Sequence, residues 1–179
     1  MEKLKQWQIA GAAFTILTGT LLHFVYGWLG EPVWAVFSPV NESTWEHLKL
    51  VFWPAVIFGA VEYVAYGRET EGFIPVKVTS VLVGMAAVVV IFYTYSGILG
   101  RNLLFMDIMV FIVSVGVAYL FSYYKIREPG GLFTASFSSS CEISVIAVIS
   151  ILMVIFAYDP PEIGMFQDPV TGEYGIMKK

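Results

Sequence analysis

The stretch V-K-V-T-S-V-L-V-G-M-A-A-V-V-V-I-F-Y-T-Y-S-G-I-L, Val76 to Leu99, decides the fold. Its one charge is Lys77, near the start, and the remainder is an apolar run without proline. A hydrocarbon core of about 30 Å needs about 20 helical residues, so this run is long enough to cross one. It lacks the alternation of a barrel strand. In lipid the backbone must bond to itself, which leaves an α-helix as its conformation.

Four further runs of this kind lie on either side: Trp7–Trp28, Thr44–Tyr66, Leu103–Tyr124 and Phe137–Tyr158. The expected fold class is therefore all-α, a polytopic bundle of five transmembrane helices forming a single membrane domain over residues 1–179. Composition points the same way, since only 13% of residues are charged where soluble domains carry about 25%. The 10 Lys and Arg against 14 Asp and Glu offer no basic surface to a nucleic acid. A lone cysteine, Cys141, excludes a disulfide framework and a cysteine-based zinc site. The first run exceeds the apolar core of a cleaved signal peptide, about 7–15 residues, and no small-residue cleavage site comes after it.

Lys3, Lys5, Arg68, Lys77, Lys125 and Arg127 all fall on the amino-terminal side of such a bundle. By the positive-inside rule the N-terminus is expected in the cytoplasm and the C-terminus outside. The lipid bilayer is then the first partner, with a homo-oligomeric or partner subunit left open. Two outer segments carry more apolar residues than loops need. Glu31 to Glu42 is expected to lie in the interface or to dip into the bundle. The tail, residues 159–179, has the turn signals D-P-P-E and D-P-V-T-G together with Met165, Phe166, Val170 and Tyr174. It is expected to fold over the outer mouth.

The densest polar cluster is N-E-S-T-W-E-H-L-K, Asn41 to Lys49, at the outer start of the second span. Ser43 and Glu46 match a capping box, in which each satisfies a free amide at the helix N-terminus. Capping does not account for His47 or Lys49. On a continuous helix His47 shares a face with Ser43, whereas Glu46 faces with Glu42 and Lys49. Pro54 removes the hydrogen bond to the Leu50 carbonyl and leaves a polar group below His47.

The first span supplies a matching stripe at helical spacing: Ala12, Thr15, Gly19, His23 and Tyr26. Counting at 1.5 Å per residue puts His23 about 7.5 Å, His47 about 4.5 Å and Asp107 about 6 Å below the outer interface. Ionisable groups at such depth are costly and usually face an interior or a cavity. The expected site is thus an outward-facing polar pocket of His23, His47 and Asp107 with Glu42 or Glu46, and with Tyr26, Asn41 and Lys49 beside it. Two histidines and Asp107 would give three ligands to a divalent metal and leave a position for water. The bland reading makes Asp107 a structural partner of Lys49 or Arg101 and His23 a bridge between helices.

A second polar level lies near the inner face, with Glu62 and Glu142 and with Lys77 as the nearby cation. It reads either as an interhelical ion pair or as an inner gate.

The segments His23–Tyr26, H-F-V-Y, and Pro39–Leu50, P-V-N-E-S-T-W-E-H-L-K-L, resemble a family of small uncharacterised bacterial multi-pass membrane proteins with an N-E-S-x-W-E-H-x-K motif. That resemblance runs over most of the chain and implies a multi-pass protein of a bacterial cytoplasmic membrane, a domain of unknown function with no activity to carry over. Leu29–Trp34 and Val36–Val40 are faintly similar to the first loop of the tryptophan-rich sensory/translocator proteins, at the level of fold only.

The first functional expectation is a membrane protein that binds a small polar solute or ion in an outward-facing pocket, in the manner of a carrier. The alternatives are a metal-dependent intramembrane enzyme with Glu46 or Glu42 as general base, and a structural membrane subunit.

Overall fold

The computed structural model describes residues 2–128 and 139–176. Five helices succeed one another: α1 (Glu2–Leu29), α2 (Thr44–Ala65), α3 (Phe73–Leu99), α4 (Leu104–Arg127) and α5 (Ser139–Tyr158). Each is long and apolar enough to cross a membrane. Among the described residues there is no strand, only an isolated bridge between Gln167 and Tyr174. Three boundaries differ from the hydropathy reading by three residues or more. α1 begins at Glu2, and α3 begins at Phe73 because Pro75 falls in the first turn, where a helix tolerates it. α4 runs on to Arg127, since Lys125 and Arg127 at its carboxyl end complement the helix dipole. The expected span residues Phe137 and Ser138 lie outside the described residues.

α3 packs against α4 most extensively, α1 lies on α2 and α4, and α5 rests mainly on α3. The core between them is Val51, Phe52, Val115 and Met153, all fully buried, with Leu48 and Tyr119.

α1 is built the other way round from a soluble helix. Its buried residues are Gln8, Gly11, Thr15 and Gly19, while Leu17, Leu21 and Phe24 are exposed. Lipid tails are as apolar as leucine, so burying leucine gains nothing there and close backbone approach decides the packing. Gly11 lies under the rings of Tyr119 and Phe58. Gly19 meets the backbone of α2, where an added Cβ would stand 2.5 Å from the Leu50 oxygen. Pro54 lies inside α2 and cannot donate to that oxygen.

Ser43 caps α2 by accepting a hydrogen bond from the Glu46 amide at 3.4 Å. The expected return arm of the capping box does not form. Glu46 accepts instead from the Val40 amide at 3.0 Å, and the Ser43 amide donates to Asn41 Oδ1 at 2.9 Å. Replacing Ser43 with alanine should cost about 1 kcal/mol, read as a lower midpoint in denaturing detergent. Ser43→Asp, which restores a cap acceptor, should recover most of that loss.

Both outer segments pack on the bundle. Pro32–Val36 forms a short 3-10 turn with Ala35 fully buried. Phe166 of the tail is buried against Trp45, with ring centroids 4.9 Å apart. The Trp45 amide donates to the Met165 carbonyl at 3.0 Å, and Asn41 Nδ2 donates to the Gly175 carbonyl at 2.9 Å.

Candidate metal centre

The two histidines meet at one end of the α1–α2 seam, where α1 finishes and α2 begins. His23 Nε2 lies 3.2 Å from His47 Nε2. Glu42 Oε2 lies 3.4 Å from His47 Nε2 and 3.8 Å from His23 Nε2. The histidines are half-buried and Glu42 is exposed.

Three local devices produce this meeting. Gly19, one turn below His23, lets α1 approach the backbone of α2. Ser43 starts the helix at Thr44, so Glu42 lies before the first turn and off its register. Asn41 then holds that segment from both sides, through the Ser43 amide and the tail carbonyl of Gly175. Helix-face arithmetic put Glu42 with Glu46; an irregular segment before the cap lets it reach His47 instead.

The proton positions sharpen the chemistry. His47 Nδ1 lies 2.9 Å from the Ser43 carbonyl oxygen. A carbonyl only accepts, so Nδ1 carries the proton and Nε2 of the neutral ring is a lone pair. That lone pair faces the Glu42 carboxylate and the second imidazole, whose Nε2 donates to it in one tautomer and is a further lone pair in the other. A proton on Nε2 serves one neighbour at a time. With His47 protonated on both nitrogens, the hydrogen bond from its Nε2–H holds the Glu42 carboxyl below its ordinary range, against the opposing effect of partial burial. A metal ion would serve all three atoms at once.

The other expected site residues have other partners. Asp107, in the first turn of α4, accepts from the Tyr95 hydroxyl of α3. Among the described residues the donor atoms that converge within 4.8 Å are those of His23, Glu42 and His47. Glu42 therefore stands where Asp107 was expected, and neither Lys49 nor Arg101 is the partner of Asp107. Depth can be counted along a helix, but the direction in which a side chain points depends on its neighbours. Glu46 is buried with its Oε2 2.5 Å from Lys49 Nζ, and Lys49 also donates to the Ala35 carbonyl at 2.7 Å. This pair fastens the Pro32–Val36 turn to α2. Tyr26 sits a turn above His23, packed with Ala35, Val40 and Ala157, its amide donating to Ser38 Oγ at 2.9 Å.

At the inner level Glu62 and Lys77 form a buried pair, Nζ to Oε2 2.5 Å. Glu62 Oε1 accepts from Gln8 Nε2 at 2.7 Å and from the Tyr66 hydroxyl at 2.6 Å. Lys77 also donates to Ser122 Oγ at 3.2 Å. Four helices, with Tyr66 at the end of α2, thus converge on one ion pair. Glu142, half-buried in the first turn of α5, is not among these partners. Gln8, Tyr66 and Ser122 escaped the sequence reading because it tracked ionisable groups. A lone glutamine inside an apolar first span was the signal available.

Searches of curated proteins and of solved structures each gave no match. Residues 1–176 match a family of unknown function, DUF6512. The chain, a bundle of five apolar helices with a histidine pair at one end, belongs to that family.

Proposed function

We propose that this protein binds a divalent first-row metal ion, of which zinc is the type, at the outer end of its membrane bundle through His23, His47 and Glu42. The separations carry the reading. Bonds of about 2.0–2.1 Å in tetrahedral geometry put neighbouring ligand atoms about 3.3–3.4 Å apart. The three separations here are 3.2, 3.4 and 3.8 Å. The bond from His47 Nδ1 to a backbone carbonyl is the outer-shell contact that fixes ring and tautomer in metal-binding histidines. Two imidazoles and a carboxylate leave a coordination position on the exposed side, where water or a small polar solute binds.

The geometry favours binding over hydrolysis, because the Glu46 carboxylate is engaged by Lys49 and the Val40 amide and Glu42 is itself a ligand. It favours binding over carriage as well, because the inner level is closed by the paired Glu62 and Lys77. The side on which the site opens rests on the loop charges, which favour a cytoplasmic N-terminus and a site on the outside, and the family resemblance supports a bacterial cytoplasmic membrane.

Metal analysis of protein loaded with zinc and desalted tests the proposal. Wild type should hold one ion per chain and His47→Ala should fall to background, with helicity and elution volume unchanged. Equal zinc in the two proteins would remove His47 as a ligand and the proposal with it.

A further inference from the structure

At the opposite end of the bundle a cavity of about 300 Å³ opens toward the lipid between α2, α3 and α5. Its walls include Gly59, Ala60, Tyr63, Phe73 and Ile143, and the stem of Lys77 closes one side. On α2 it extends from Ala55 to Tyr63, about 12 Å at 1.5 Å per residue. Gly59 leaves the floor open, since a Cβ there would meet only Lys77 Cε, at 3.9 Å. The groove exists because α5 rests on α3 and makes few contacts with α2.

Polar chemistry is confined to the inner mouth. The Arg68 guanidinium lies over the Tyr63 ring, 5.9 Å from its centre. Arg68 is exposed and, among the described residues, has no carboxylate partner. It belongs to the Gly67–Glu69 turn that succeeds α2, at the depth of a lipid headgroup. The Tyr63 hydroxyl is a second donor at the same mouth.

We infer that this groove is a lipid site: it takes an acyl chain of an anionic glycerophospholipid from the leaflet on the amino-terminal side, with the headgroup phosphate on Arg68. A void in a bilayer forfeits dispersion contacts, so a chain fills it. The walls and the surrounding tails are equally apolar, however, and the groove alone selects no particular lipid. Selection falls to Arg68, whose planar guanidinium matches phosphate oxygens in pairs. The Lys77 ammonium takes no part, being engaged by Glu62, Ser122 and Gln8.

The test offers the purified protein equal amounts of phosphatidylglycerol and phosphatidylcholine with identical chains, and counts retained lipids by native mass spectrometry. Wild type should retain the anionic lipid about fivefold over the zwitterionic one, the ratio that about 1 kcal/mol per basic residue at a membrane surface gives. Arg68→Gln should bring that ratio close to unity while total lipid persists. Ala60→Trp, which fills the groove from its exposed side, should reduce both lipids. A wild-type ratio of unity, or one that survives Arg68→Gln, overturns the headgroup assignment. Unchanged retention in Ala60→Trp overturns the groove. Both positions are exposed and remote from the histidines, so zinc content should remain that of wild type in either variant.

Discussion

Lys77→Met should lower stability by about 3–5 kcal/mol, the cost of stranding a buried charge. Glu62 is fully buried, and methionine keeps the lysine's length and most of its packing while removing its ammonium. The carboxylate would retain Gln8 and Tyr66 as donors but lose the cation 2.5 Å from its second oxygen. Glu62→Gln alone should cost a comparable amount, since it leaves the Lys77 ammonium buried with neutral partners. The double variant should recover most of either loss, because glutamine keeps an acceptor for Gln8 and Tyr66 and no net charge remains. Midpoints of unfolding in mixed micelles measure all three. Losses under about 1 kcal/mol in the single variants would mean that water reaches the pair, in conflict with its burial. Recovery in the double variant would make the pair a device for orienting α1 to α4 rather than a source of net stability.

Gly19→Leu should cost at least the 1–3 kcal/mol typical of overpacking, and should also weaken the proposed metal site. A Cβ at residue 19 would stand 2.5 Å from the Leu50 oxygen and 2.7 Å from the Phe111 ring. The ring can turn aside. The Leu50 oxygen is backbone inside α2 and cannot yield without moving the helix. α1 must therefore stand off, and His23, one turn further along, goes with it. Zinc affinity should fall about a hundredfold, an outer limit for disturbing the support of a ligand, with every ligand still in the sequence. Gly27, near the outer end of α1 with nothing within 4 Å of an added Cβ, is the control: Gly27→Leu should leave both stability and zinc unchanged. A Gly19→Leu protein that binds zinc as wild type does would show that the histidine spacing is not set by the α1–α2 contact.

The helices were legible in the sequence because a hydrocarbon core imposes a length and a backbone solution on anything that crosses it. Their ends were less so, because the interface tolerates charge: Lys125 and Arg127 continue α4 past the last apolar residue. Depth could be counted along each span, and that count brought His23 and His47 to one level, where their rings lie together. Direction could not be counted. Asp107 has comparable depth yet faces Tyr95, because the α3–α4 contact, not the α1–α2 seam, determines what surrounds it. Glu42 was named beside Glu46, and the choice between the two could not be made from spacing for a different reason. Whether residue 42 belongs to α2 depends on the cap at Ser43, and a shift of one residue there turns a side chain by about 100°. The inner network was half visible: Glu62 and Lys77 are charges, whereas Gln8, Tyr66 and Ser122 become partners only when four helices assemble.

The bond from Asn41 to Gly175 spans 134 residues, and it has a consequence for the order of assembly. The segment that carries Glu42 is held in position by a carbonyl that follows all five helices in the chain. During membrane insertion the two histidines can come together as soon as α1 and α2 are in the bilayer. Their carboxylate neighbour is fixed only after α5 has crossed and the tail has folded back onto Trp45. On the proposed reading, the three ligands are therefore in place together only when the segment after α5 has folded back, and not before.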